Sequence, residues 1–272
     1  MSARIQTSWG PLRVTDAHLH FFSHHFFEVL AAQKPGLTLE AARERLGWEM
    51  PPPEPEALAR LWVEELDRHG VAASAIIASV PGDQASVERA AAAHPDRLLA
   101  FAMVNPRAWN PETFSAVRVA CLFPAMHCFS VREECAAPVF EWAQRERRAV
   151  FVHCGMLSVG VRKKLGLPSP FDIRYSNPLD LHTVALKYPD VPIIVPHFGA
   201  GFFREALMLA DLYPNVYLDT SSSNDWTKYQ PNALDLRQVF QRALHVCGAK
   251  RLLFGTDSSY FPRGWQRPVF EA

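Results

Sequence analysis

Short runs of apolar, β-branched residues recur along the chain. Longer stretches separate them, in which apolar positions repeat at helical spacing, the pattern of a parallel sheet built from strand–helix units. Eight such runs stand at 14–20, 72–80, 98–105, 117–124, 149–155, 192–199, 216–221 and 252–258. Helical periodicity predicts helices over 54–69, 85–94, 137–148, 179–188, 203–212 and 234–246, several of them stopped by Gly or by a following Pro. Eight runs alternating with helices predict an α/β fold, the TIM (β/α)8 barrel. The segment 33–55, closed by PPPEP, lacks strand character and is expected above the first strand, at the barrel mouth. Two departures from a full barrel are expected. Only 106–116 is available between the third and fourth runs, which predicts a shortened third helix, and after the eighth run SSYFPRGWQRPVFEA shows no evident eighth helix. The groove so left would expose apolar surface, so either a partner subunit in a homo-oligomer or the N-terminal arm is expected to cover it, or the chain is a shortened form of a longer protein.

Composition narrows the class. With 272 residues, 49% hydrophobic and 21% charged, the chain can bury one large core, and a single domain over 1–272 is expected. Lys plus Arg and Asp plus Glu both number 28, so no net field draws the chain to nucleic acid or to an anionic membrane, and a small-molecule substrate is expected. The opening MSARIQTSWGPLRV has no signal-peptide core and no stretch has the length of a membrane helix, which predicts a cytoplasmic protein. Cys121, Cys128, Cys135, Cys154 and Cys247 are odd in number and lack CxxC spacing, so reduced thiols are expected rather than disulfides or a structural zinc.

The chemistry concentrates at strand ends. In VTDAHLH the period-two alternation of a strand predicts Asp16, His18 and His20 on one face. Later runs close on His153 (VFVHCG), His197 (IIVPHFG) and Asp257 (LLFGTDS). One strand-end histidine is ordinarily structural. Several of them with a carboxylate, all at the carboxyl ends of barrel strands, form a donor set for a divalent metal at the mouth.

Carrying these residues, the chain resembles the amidohydrolase superfamily, specifically the amidohydrolase-2 branch that also contains the aminocarboxymuconate-semialdehyde decarboxylase type. The resemblance spans nearly the whole chain and extends to LFPAMHCFS at 122–130, RYSNPLDL at 174–181, PHFGAGFFREALMLAD at 196–211 and NVYLDTSS at 215–222. It implies that His18, His20, His153 and Asp257 bind one metal, with His197 beside it as acid or base. Cys121 stands where some relatives place a carbamylated Lys that bridges a second metal, so a mononuclear site is implied. Zinc suits the nitrogen-rich set, with manganese or iron as alternatives.

The function expected from this is a metal-dependent hydrolase that activates water to cleave an ester, lactone or amide of a small molecule. Asp257 would orient the water and accept its proton, and His197 would polarise the carbonyl or protonate the leaving group. The alternatives are a non-oxidative decarboxylase (a carboxy-lyase) of an aromatic or unsaturated acid, using the same residues, and a non-catalytic barrel. Candidate cations for a substrate carboxylate are Arg107, Arg132, Arg174 and Arg263. Arg263 in YFPRGW comes first and Arg174 second, with His127 as a further substrate-binding candidate. His24 and His25 are expected as an exposed loop pair, Cys154 as packing against the helices, and Asp219 as structural. Phe21, Phe22, Phe26 and Phe27 are expected in the core, two or more of them being candidates for an apolar pocket above the metal.

Overall fold

The computed structural model describes residues 3–169, 171–222, 224–231 and 234–272. An antiparallel hairpin, β1 (Ile5–Thr7) and β2 (Gly10–Leu12), precedes the apolar runs. The runs themselves become β3 (Thr15–Phe21), β4 (Ala73–Ala78), β5 (Leu98–Val104), β6 (Val119–Leu122), β7 (Ala149–Val152), β8 (Ile193–Val195), β9 (Val216–Asp219), β10 (Leu252–Leu253) and β11 (Ser258–Ser259). They form one parallel sheet in the order β10-β9-β8-β7-β6-β5-β4-β3-β11. The eighth predicted run is thus split, and the split closes the barrel: β10 pairs with β9 through Leu252 and Leu218, β11 pairs with β3 through Ser258 and Leu19. Between the two halves, the Ala17 N–H donates to Phe254 O (2.8 Å) and the Asp257 N–H to His18 O (2.9 Å). The architecture is the expected α/β TIM barrel.

Alternate residues fill the interior, among them Ala75, Ile77, Phe101, Met103, Cys121 and Phe151. Burial of Cys121 in this layer pushes its thiol well above the ordinary range, which makes it a packing group. Outward residues such as Leu19, Ile76, Val150 and Val152 meet the helices, and Cys154 belongs to this outer core, as expected. Burying each large aliphatic or aromatic side chain contributes roughly 1.5–3 kcal/mol.

The helices are α1 (His24–Ala32), α2 (Leu39–Leu46), α3 (Pro55–His69), α4 (Gln84–Ala93), α5 (Pro124–His127), α6 (Ala137–Arg145), α7 (Gly160–Leu165), α8 (His182–Lys187), α9 (Phe203–Leu212), α10 (Leu236–Cys247), α11 (Tyr260–Arg263) and α12 (Arg267–Glu271). His24 and His25 are not in a loop. They open α1, whose N-cap Ser23 accepts the Phe26 N–H. Helices α1, α2 and α7 build a satellite core from Phe26, Phe27, Leu30, Leu46, Val161 and Leu165 over the carboxyl ends of the strands, where the 33–55 excursion was expected.

The third helix is reduced to two single 3-10 turns, Pro106–Ala108 and Pro111–Thr113, and the rings of Trp109, Phe114 and Trp142, 5.6–5.7 Å apart, stand in its place. No full eighth helix follows β11, but the tail is not structureless: α11 and α12 carry it across the groove. Trp265 is buried there, and its ring meets Phe270, which packs on Phe254. The groove expected to need a partner subunit is covered by the chain's own tail.

Asp16 differs from expectation. The register of β3 slips by one residue between Asp16 (opposite Ser74) and Leu19 (opposite Ile76), so strict alternation is lost before the histidines. Asp16 faces the tail instead. Its Oδ1 accepts from the N–H groups of His18 (2.9 Å) and Thr256 (3.1 Å), and its Oδ2 accepts from Thr256 Oγ1 (2.6 Å) and Trp265 Nε1 (2.8 Å). Burial raises the carboxyl to about 6 against the hydrogen bonds from the Thr256 hydroxyl, the His18 N–H and the Trp265 indole. Asp16→Asn turns one amide N–H₂ toward two donors, and it is expected to lower unfolding stability by about 2–4 kcal/mol in urea titration. A loss below about 0.5 kcal/mol would show that the tail is not anchored here. Among the described residues, no helix is long and apolar enough to cross a membrane.

Candidate metal centre and cavity

Every strand-end donor identified in the sequence reaches the barrel mouth. His18 lies against Phe151 of the interior (ring centroids 5.3 Å), beside His20 (5.3 Å) and His197 (5.1 Å). His153, just past β7, stacks on Phe123 (5.4 Å) and meets His197 edge-on (5.2 Å). His197 sits in the 3-10 turn Pro196–Gly199 after β8, and Asp257 lies between β10 and β11. Both carry left-handed backbones, φ 55° and 59°. Such a conformation costs a residue with a Cβ about 1–2 kcal/mol, and here it bends the strand ends into the mouth. Two glycines permit the closeness. A Cβ on Gly155 would lie 2.2 Å from Gly199 O, and one on Gly255 would lie 2.8 Å from His18 Cβ.

The hydrogen bonds set the imidazole tautomers. His18 Nδ1 donates to Asp219 Oδ2 (2.7 Å). The Ser79 hydroxyl donates to Ile77 O (3.1 Å), so at its 2.7 Å contact with His20 the proton belongs to His20 Nδ1. His197 Nδ1 donates to Ser221 O (3.3 Å), and Ser221 Oγ, 2.8 Å from the same nitrogen, donates to Asp219 Oδ1. In its neutral form each ring then keeps a lone pair on Nε2.

Those lone pairs converge. His20 Nε2 is 2.9 Å and His18 Nε2 3.5 Å from Asp257 Oδ1, and His18 Nε2 and His153 Nδ1 are buried without hydrogen-bond partners. One donor atom from each of His18, His197 and Asp257 lies within 4.8 Å of the others. Lone pairs and a carboxylate oxygen crowded this way repel unless a proton or a metal ion sits among them. Burial alone lowers the His18 imidazole, yet Asp219, together with Asp257 and Asp16, pushes it up to about 9, so that without a metal ion Nε2 carries a proton near neutral pH, which a divalent ion would displace. Burial holds His153 well below the ordinary range and lowers His197, so both imidazoles stay neutral and keep a lone pair. Desolvation at the cavity wall opposes ionisation of Asp257, but the His20 hydrogen bond and the neighbouring imidazoles hold it below the usual carboxylate range. A nitrogen-rich set with one ionised carboxylate fits a divalent ion.

Above the donors opens a cavity of about 750 Å³, lined by His18, His20, His153, His197 and Asp257 and walled by Phe22, Phe26, Val29, Leu30 and Phe123. Phe22 and Phe26 therefore do line a pocket, while Phe21 and Phe27 are core. His127 lines it as well, its imidazole lowered by burial to about 4.

The arginines singled out in the sequence are elsewhere. Arg174 is 84% exposed and bonded to Asp172, Arg107 pairs with Glu133, and Arg132 pairs with Asp180. Arg263 is exposed at the end of α11 and is not part of the lining, because the tail turns toward α3, with Tyr260 against Trp62. The cations that do line the cavity are Arg162, Lys164 and Lys228, beside Gln33. A basic stretch such as VRKK reads as a solvated surface, so sequence gave no signal for them. Asp219 and Ser221 did carry one, since both lie in NVYLDTSS, but nothing in that motif named His18 as the partner 201 residues away.

A family model described as amidohydrolase matches residues 15–272. Over 87 residues the chain is 34% identical to Protein fluG of Emericella nidulans, a match covering 32% of this chain and only 10% of fluG. An uncharacterized TIM-barrel protein from Bordetella bronchiseptica superposes with a TM-score of 0.58 at 21% identity, covering 90% of this chain and 85% of that one. A 5-carboxyvanillate decarboxylase from Novosphingobium aromaticivorans, solved with bound manganese and a nitrobenzoic acid, superposes with a TM-score of 0.62 at 15% identity, covering 98% and 92%. At these identities the structural likeness is one of fold.

Proposed function

The chain belongs to the amidohydrolase family, and from that premise we propose that it is a mononuclear metal-dependent hydrolase cleaving an ester, lactone or amide of a small molecule. His18, His20, His153 and Asp257 hold the ion, and His197 stands beside it as acid or base. Zinc suits three imidazoles and a carboxylate, and manganese is the ion in the Novosphingobium relative. Bound there, a divalent ion supplies Lewis acidity toward a carbonyl and makes hydroxide accessible near neutral pH.

The observation that carries hydrolysis is Asp257, an ionised carboxylate whose side chain is 32% exposed, at the cavity face of the donor cluster. It is placed to orient an incoming water and take its proton. His197, neutral and fixed through Nδ1, keeps the Nε2 lone pair free to take up the proton that Asp257 removes from water and to hand it on to the leaving group. Asp219 holds the His18 tautomer that presents Nε2. Asp219→Asn is expected to weaken metal binding about 10- to 100-fold in chelator competition, because an amide N–H₂ facing Nδ1 favours the wrong tautomer. Unchanged affinity would assign Asp219 to the fold alone.

A second reading, non-oxidative decarboxylation of an aromatic or unsaturated acid, is favoured by one feature. Phe22 stacks on Phe26 (4.3 Å, 8°) and on His20 (5.4 Å), a wall suited to a planar ring. Here His197, having taken up at Nε2 a proton from the substrate acid or from water, would deliver it to the ring carbon as the bond to the carboxylate breaks and CO₂ leaves. Metal-loaded protein assayed in H₂¹⁸O against aryl esters, lactones, amides and aromatic acids separates the two. Hydrolysis puts ¹⁸O into the product acid without CO₂, whereas CO₂ release from an aromatic acid with no label transfer overturns the first reading.

A further inference from the structure

The apolar cavity has a polar patch on the wall that α7 contributes. Arg162, Lys164 and Gln33 all face into the lining. Arg162 is half-buried and donates to two neutral acceptors, Gln33 Oε1 (2.7 Å) and Pro168 O (2.6 Å), while its Nε has no partner. Of its five N–H donors, three are therefore uncommitted. Among the described residues it forms no ion pair with a carboxylate, unlike Arg68, Arg89, Arg97 and Arg107. Lys164 likewise has no carboxylate partner, its ammonium resting over the Trp48 ring at 5.0 Å. Because Gln33 Oε1 accepts from Arg162, its amide N–H₂ is left to donate. A partly desolvated guanidinium satisfied only by neutral groups, on a cavity walled largely by apolar side chains, is electrostatically incomplete.

We propose that Arg162, with Lys164 and Gln33, forms an anion subsite that recognises a carboxylate borne by the substrate at the end opposite the bond being broken. The substrate is then an apolar-bodied acid: its reacting group meets the His18–Asp257 cluster, its body lies against Phe22, Phe26 and Leu30, and its carboxylate meets the guanidinium, whose planar fork matches it. Arg162 determines specificity by touching the substrate away from the reacting atoms. The inference rests on the metal-centred reading above.

The test is equilibrium binding to the metal-loaded protein, by calorimetry, of α,ω-dicarboxylates of increasing chain length beside the corresponding monocarboxylates. At the length that spans the cavity, the diacid is expected to bind about tenfold tighter than its monoacid. In Arg162→Gln that ratio is expected to fall toward one, and in Arg162→Lys to recover in part. Equal affinities of diacid and monoacid at every length overturn the subsite, as does a ratio unchanged in Arg162→Gln. Metal content, measured on the same samples, tests the metal reading separately: a protein that holds its ion but shows no diacid preference loses the subsite and keeps the centre.

Discussion

His18→Ala is expected to yield folded protein that no longer retains metal. His18 is the most enclosed donor of the cluster, with Nδ1 held by Asp219 and Nε2 facing Asp257 without a hydrogen-bond partner. Alanine removes a proposed ligand and leaves Asp219 as a buried carboxylate without its imidazole. The loss in metal affinity should exceed the roughly 10- to 100-fold typical of deleting an outer partner. Elemental analysis of the parent and the variant, both prepared in metal-supplemented medium, checks this. About one ion per chain in the parent and almost none in the variant is the expected result. An ion retained by the variant would remove His18 from the ligand set. No ion in either protein would sink the hydrolase and decarboxylase readings together and leave a non-catalytic barrel.

The second large effect is expected of His197→Asn: turnover falls about 10²- to 10⁴-fold, the usual worth of a positioned acid or base, while metal content stays at the parent level. Asparagine keeps a donor for Ser221 O but has no group that exchanges a proton near neutral pH. The geometry makes the outcome informative, because His197 groups with His18 and Asp257 within 4.8 Å. Metal lost together with turnover would make His197 a ligand and return the proton-transfer role to Asp257.

The donor residues were legible because each closes an apolar run, and the carboxyl end of a barrel strand leaves few directions for such a side chain. That logic covers His18, His20, His153, His197 and Asp257. It fails for Asp16, where a slipped register sends the carboxylate to Trp265 instead. The helix at His24–Ala32 was missed although Ser23 offered a cap, because its aromatic run continues from β3 without a turn signal. Among the arginines, Arg174 and Arg263 had sequence positions near the mouth, but local geometry decided against both. Asp172, two residues away, captures Arg174, and the tail carries Arg263 toward α3.

By itself, then, the sequence determined the βα alternation, the shortened third helix and the strand-end donors, since each is a local property of spacing and residue type. Only the tertiary structure decided which partner sets each imidazole tautomer, how a split eighth strand closes the barrel on His18, and that α1 and α7 fold over the mouth and bring Arg162 onto its wall. These depend on contacts between residues far apart in the chain, such as His18 with Asp219 and Gln33 with Arg162. Periodicity carries no information about such pairs, because it records which face a residue occupies and not what stands opposite.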